Sequence, residues 1–201
     1  MTEEGAPAAP TVVEEGALAP VSKPPQDIHP LRVLFVCTAN ICRSPSAELL
    51  ARRSLPDATD VVFGSAGTHA RDGKPINPDM VAALPADLDS SGFRSRRLTP
   101  QVLEDADLVL TMEAAHRSYV LDEQAAMFRK VFTLGQFAQA VDNAPSGLSR
   151  EALLAHVAAA RGHADPTLDV ADPYRRGPEE ASGCVARLEE LLRAVLPVLS
   201  R

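Results

Sequence analysis

From residue 31 onward the chain alternates short, continuously apolar runs with stretches whose apolar positions recur every three or four residues. The runs LRVLFV (31–36), VVFGSA (61–66), DLVLTM (107–112) and KVFTL (130–134) are rich in β-branched and aliphatic residues and are predicted to be strands. Between them the helical period predicts helices near 44–55, 78–84, 98–106, 113–123, 135–141 and 149–161, with a long one near 178–200. Strands that are apolar along their whole length need cover on both faces. The alternation therefore predicts a parallel sheet in a doubly wound α/β domain.

Residues 1–30 break the pattern: they are rich in Pro, Ala, Gly and Glu and have too little apolar periodicity to bury a face. They are expected to form a disordered tail ahead of one domain at 31–201. Their five acidic residues against Lys23 give −4 of the chain's net −7, so the domain itself is close to neutral. That balance argues against a general nucleic-acid binder. No run approaches the roughly 20 apolar residues of a membrane span, and no basic segment followed by an apolar stretch signals secretion. Three cysteines, two of them in one short loop, do not make a disulfide framework, so the expected compartment is the reducing cytoplasm.

The chemistry concentrates in CTANICRS (37–44), between the first strand and the first helix. In doubly wound sheets the carboxyl end of the first strand is a favoured ligand position. Ser44 and Pro45 supply a helix start, and Ala47, Leu50 and Ala51 share one helical face. The helix N-terminus then points at the loop, whose backbone N–H groups suit a bound anion. That field and Arg43 favour negative charge at Cys37, and a guanidinium can grip two anion oxygens at once. Such a nucleophile in such a cradle suits phosphoryl transfer through a phosphocysteine.

Cys-x2-Asn-x-Cys-Arg-Ser-Pro between a strand and a helix resembles the signature of the low molecular weight protein tyrosine phosphatase family. Ser65-Ala66-Gly67-Thr68, the DLVLTM strand and LDVADPY (168–174) fall where that family has its other motifs, so the resemblance extends over about residues 31–200. It implies a three-layer, flavodoxin-like four-stranded parallel sheet with helices on both faces. It also implies hydrolysis of phosphate monoesters with no metal or cofactor. By motif position Cys37 would be the nucleophile and Arg43 the phosphate clamp, and Ser44 would hydrogen-bond the nucleophile. Asn40 would hold the loop's backbone through a network that includes Ser65. Thr38, Ala39, Ile41 and Cys42 complete the phosphate-binding loop, with Thr38 and Ile41 as modest pocket walls. The resemblance also implies a reversible Cys37–Cys42 disulfide; packing behind the loop is the alternative for Cys42.

A leaving group must still be protonated, and arginine cannot do it. Of two Asp-Pro pairs, Asp172-Pro173 has the family's upstream carboxylate, Asp169, and following aromatic, Tyr174; Asp165-Pro166 has neither. Asp172 is thus the expected acid and base, Asp169 a loop brace and Asp165 a turn residue. His69 and Tyr174 are candidates for the pocket rim, which is poor in aromatic residues because His69-Ala70-Arg71 and Arg175 stand where many members have them. The histidines show no metal-ligand spacing, so 29, 69, 116, 156 and 163 are expected at the surface. Arg94, Arg96 and Arg97 read as a solvated face, Arg175 and Arg176 as steering charges or solvated, and Cys184 as core.

The leading function is a phosphatase acting on phosphotyrosine protein or a small phosphate ester. Two alternatives are an arsenate reductase on the same scaffold, using a small external thiol, and a non-catalytic phosphate-binding module.

Overall fold

The computed structural model describes residues 1–2 and 29–200, so the expected tail falls almost wholly outside the described residues. Four strands, β1 (Leu31–Cys37), β2 (Val61–Gly67), β3 (Leu108–Thr111) and β4 (Val131–Thr133), pair in parallel in the order β2-β1-β3-β4. The helices are α1 (Arg43–Ser54), α2 (Pro78–Ala83), α3 (Pro100–Glu104), α4 (Ala114–Glu123), α5 (Leu134–Asp142), α6 (Arg150–Ala159) and α7 (Pro178–Leu199). Side-chain alternation along β1 divides the core: Val33, Phe35 and Cys37 join one buried cluster with α1, α5 and α7, while Leu34 and Val36 join another with Leu103 of α3 and Val120 of α4. The three-layer parallel architecture predicted from the continuous apolar runs is the one observed. Among the described residues no helix is long and apolar enough to cross a membrane.

Boundaries depart from the sequence pattern where caps intervene. The helix expected over 98–106 shrinks to Pro100–Glu104 because the Leu98 N–H is tied to Gly67 O at 2.8 Å and the Thr99 hydroxyl caps Val102 N at 3.3 Å. Likewise β4 stops at Thr133, whose hydroxyl caps Gln136 N at 3.1 Å, so Leu134 opens α5. Two 3-10 turns, Ala125–Arg129 and Pro166–Leu168, were not foreseen, being too short for a period to register.

The edge of β2 is covered by arginines: Arg52 Nη2 donates to Phe63 O at 2.8 Å and Arg96 Nε to Ser65 O at 2.7 Å. These bonds satisfy carbonyls that would otherwise template another strand. Arg96 is exposed, as expected of its cluster, and in addition clamps this edge of the sheet.

β1 lies where the chain reverses direction across the sheet, with β2 on one side and β3 on the other, so the carboxyl ends of three strands converge beside residues 37–44. Two glycines permit the approach of further segments. A Cβ on Gly67 would lie 2.6 Å from Thr38 O and 2.8 Å from Asn40 N, and one on Gly135 would lie 2.2 Å from Leu168 O. Gly67→Ala is expected to destabilise the fold by about 1–3 kcal/mol through forced backbone displacement. Gly92, with nothing within 4 Å of a built Cβ, should tolerate Ala within about 0.5 kcal/mol. Urea unfolding midpoints of the two variants measure the difference.

Candidate active site

Four carbonyls of the loop are turned outward. Cys37 O accepts from Thr68 N at 2.9 Å, Thr38 O from His69 N at 2.8 Å, Ile41 O from Asn77 N at 2.8 Å, and Cys42 O from Ser46 N and Oγ at 3.2 and 2.8 Å. In a trans peptide the following N–H points the opposite way, so the amides of Thr38, Ala39, Cys42 and Arg43 face into the loop. α1 starts at Arg43 with no side chain capping its first turn and no acidic residue in it. The positive end of the helix and its free N–H groups are therefore left for an anion. The capping role suggested for Ser44 by sequence is not taken up, because its hydroxyl is engaged inside the loop.

That hydroxyl belongs to a hydrogen-bonded relay. Asn40, fully buried at φ +54°, gives its two amide protons to Ser44 Oγ and Ser65 Oγ, each at 2.9 Å, and takes Arg96 N on Oδ1 at 2.9 Å. Ser65 Oγ donates to Glu48 Oε2 at 2.6 Å, and Glu48 pairs with Arg52 at 2.7 Å. Burial pushes the Glu48 carboxyl up, against the pull of Ser65 and Arg52. Ser44 accepts from Asn40 and has one proton of its own, with Cys37 Sγ at 3.0 Å and Ala66 O at 3.4 Å as acceptors; a Cys37 thiolate, with no proton to give, would take it.

Arg43 is 2% exposed. Its Nη1 donates to Glu113 Oε1 at 2.6 Å and to Val170 O at 3.0 Å, and Nη2 lies 3.2 Å from Asp172 Oδ2. Its Nε is buried with no partner among the described residues. Burial alone opposes the charge, but Cys37, Asp172 and Glu113 outweigh it and hold the guanidinium's proton more tightly than usual. One side of the fork is thus anchored, while Nε has no acceptor among the described residues and Nη2 has only the partly exposed Asp172 carboxylate.

The segment carrying Asp172 is pinned from behind. Asp169 Oδ1 accepts Ala114 N, the start of α4, at 2.9 Å, and Val170 N donates to Met112 O at 2.8 Å. Burial pushes the Asp169 carboxyl up. Asp172 Oδ1 accepts Tyr174 N at 3.3 Å in a turn where Arg175 adopts φ +60°. Asp165 lies away from Arg43 and caps its own 3-10 turn, its Oδ1 taking Thr167 N at 2.9 Å and Oγ1 at 2.8 Å. The structure brings Cys37, Asn40, Arg43, Ser44, Ser65 and Asp172 together, with Asp169 behind them.

Cys37, Cys42 and Cys184 are all free and buried. The thiols of Cys42 and Cys184 are both pushed up to about 12, chiefly by burial. His116 corrects an expectation: it is buried, its Nε2 2.8 Å from Thr38 Oγ1 and 3.5 Å from Glu113 Oε2, and burial lowers it to about 4, leaving a neutral ring. His69 is exposed at the rim, bonded to Thr68 Oγ1 at 2.9 Å, and its ring centroid is 5.3 Å from that of Tyr119. Tyr174 is 43% exposed.

Glu48, Arg96, Glu113, His116 and Tyr119 were not singled out as site residues by sequence. For Glu113 and His116 a signal existed, since they follow the carboxyl end of a predicted strand at the ligand-binding edge of the sheet. Glu48 and Arg96 act from outside any motif.

A family model described as low molecular weight phosphotyrosine protein phosphatase matches residues 32–152. A probable low molecular weight protein-tyrosine-phosphatase of Ralstonia nicotianae is 32% identical over 145 residues, 72% of this chain and 79% of the relative. A protein-arginine-phosphatase of Geobacillus stearothermophilus is 30% identical over 165 residues, 82% of this chain and 97% of the relative. Among solved structures, the low molecular weight protein tyrosine phosphatase from T. tengcongensis superposes with a TM-score of 0.64 at 30% identity, covering 83% of this chain and 98% of that one. With the loop, the sheet order and these matches in agreement, the chain belongs to the low molecular weight phosphotyrosine protein phosphatase family of cysteine-dependent phosphatases.

Proposed function

We propose that this phosphatase acts on phosphotyrosine in proteins, with Cys37 as nucleophile, Arg43 as phosphate clamp and Asp172 as acid and base. The observation that carries the reading is the buried Arg43 fork, anchored at Nη1 by Glu113 and Val170 O with Nε lacking an acceptor among the described residues, beside a sulfur hydrogen-bonded with Ser44 Oγ at 3.0 Å. A substrate phosphate would take the inward amides and the Nε and Nη2 donors, displacing Asp172 from Nη2 so that its carboxyl faces the leaving oxygen. Cys37 sulfur then bonds to phosphorus as the P–O bond breaks, and Asp172 gives its proton to the phenoxide. In the second step Asp172 takes a proton from water, whose oxygen bonds to phosphorus while the S–P bond breaks, releasing phosphate and the thiolate. Side chains supply nucleophile, charge and proton, so this route draws on no cofactor. The arsenate-reductase and non-catalytic readings are not favoured by the family.

The matched relatives include phosphatases named for tyrosine and for arginine. For this chain the rim supports tyrosine: His69 and Tyr119 pack ring to ring, Tyr174 is exposed, and Arg175 lies 5.1 Å over the Tyr174 ring. Aromatic and cationic groups suit an aryl phosphate, whereas a phosphorylated guanidinium calls for a free carboxylate. Glu113 is engaged with Arg43 at 2.6 Å, and Asp172, once displaced from Nη2, is taken up by the leaving-group proton. We assign Cys42 as a resolving thiol for oxidised Cys37, and the enzyme to the cytoplasm, where its three free cysteines stay reduced.

Hydrolysis of p-nitrophenyl phosphate without added metal is the direct test. Cys37→Ser should abolish turnover, a loss of about 10⁴-fold or more. Asp172→Ala should lower it about 10²–10⁴-fold, while Asp165→Ala should leave it within about twofold; full activity in Cys37→Ser, or loss in Asp165→Ala alone, would overturn the assignment. With peptide substrates, kcat/KM should favour phosphotyrosine over phosphoarginine, and Tyr119→Ala should raise KM for the aryl phosphate about three- to tenfold; equal or better phosphoarginine hydrolysis would reverse the substrate reading. After peroxide, wild-type activity should return with dithiothreitol and that of Cys42→Ser should not; equal recovery in both would leave Cys42 as packing.

A further inference from the structure

Arg161, just beyond the end of α6, is placed unlike any other arginine among the described residues. Its guanidinium carbon lies 4.3 Å from the ring centroid of Phe128 and 4.3 Å from that of Phe132, a sandwich between the Ala125–Arg129 turn and β4. Ring faces attract a cation but accept no conventional hydrogen bond, so they leave the in-plane N–H donors unmatched. Nε, Nη1 and Nη2 are all buried without a partner among the described residues. The charged groups that act on it, Arg117 and Arg129, share its sign and, after burial, help lower its proton affinity. A buried cation with like-charged neighbours and no acceptor is costly to leave unmatched.

A cavity of about 330 Å³ adjoins this group, lined by Arg161, Gln136, Asn143, His156, His163 and Leu168 among others. Gln136 turns Nε2 to the carbonyls of Gly162 and His163 at 3.2 and 3.5 Å, which leaves Oε1 buried and without a partner. Asp165 also borders the cavity, but its Oδ1 is held by Thr167 and it forms no ion pair with Arg161. The cavity shares no residue with the loop at 37–44, and its wall includes Leu168, next to the brace Asp169.

We propose that this cavity is a second binding site, for a small molecule bearing an oxyanion, phosphate or carboxylate. Arg161 holds the anion along its in-plane edge, Arg117 and Arg129 add attraction at longer range, and a ligand hydroxyl or amide donates to Gln136 Oε1. The ring of Phe132 lines the cavity beside Arg161, while that of Phe128, 54% exposed, packs on the guanidinium from outside the cavity lining.

The test is titration of the full chain with inorganic phosphate and, separately, with malonate, followed by amide shifts in proton–nitrogen spectra. Saturable shifts are expected at 128–136 and 156–165, separate from those at 37–44, and the tighter of the two anions identifies phosphate or carboxylate chemistry. Arg161→Met should remove the first set and leave the second, and Gln136→Glu, which keeps the ring sandwich but adds a negative charge, should weaken it about tenfold or more. Absence of saturable shifts outside 37–44 with both anions, or shifts unchanged in both variants, would overturn the proposal.

Discussion

The hydrogen bonds of the Asn40 carboxamide hold the rest of the site in place. A non-glycine residue at φ +54° is unfavourable on its own and persists because both ends of its side chain are fixed, by Ser44 and Ser65 on one side and Arg96 N on the other. With Asn40 turned, the carbonyls around it point to β2 and α2 and the amides point inward. The same carboxamide fixes the position of Ser44 Oγ, so the geometry that turns the loop amides inward also places a hydroxyl 3.0 Å from Cys37 Sγ. The relay ends at Glu48 and Arg52 on α1, which ties the loop to the helix that follows it.

A second constraint comes from burying a permanent cation. Arg43 is 2% exposed, and a guanidinium there is tolerated only with close acceptors. Glu113 comes from the end of β3, and Val170 O and Asp172 from the segment before α7, so residues 70 and 129 positions apart in the chain from Arg43 meet on one fork. The asymmetry of these contacts matters more than their number. Nη1 has two short partners, whereas Nε has none among the described residues, so one edge of the guanidinium keeps an unmatched donor.

The rim shows how packing can supply what a motif lacks. The stretch after Ser65-Ala66-Gly67-Thr68 carries no aromatic residue apart from the imidazole of His69, yet α4 lays Tyr119 against that imidazole. One helical turn earlier His116 reaches Thr38 from the same helix, so α4 borders the loop on the side opposite β2. The burial that neutralises His116 also keeps a second positive charge away from Arg43.

Sequence alone determined the strands and most helices, because continuous apolar runs and a 3.6-residue period are imposed by burial and are visible in any single chain. The loop pattern and its family resemblance also pointed to Cys37, Arg43 and Ser44, which are neighbours in one loop, and to Asp172 ahead of Asp165, and it is Asp172 that lies 3.2 Å from Arg43. Sequence could not place Glu48, Arg96, Glu113 or Tyr119 at the site, or turn His116 inward. Those contacts span 17 to 78 positions and depend on strand order, on Gly67 and Gly135 allowing backbones to touch, and on which donor is left after each proton is assigned. Periodicity and motif record local needs; long-range pairing of buried charges and hydrogen bonds is settled only when the elements pack.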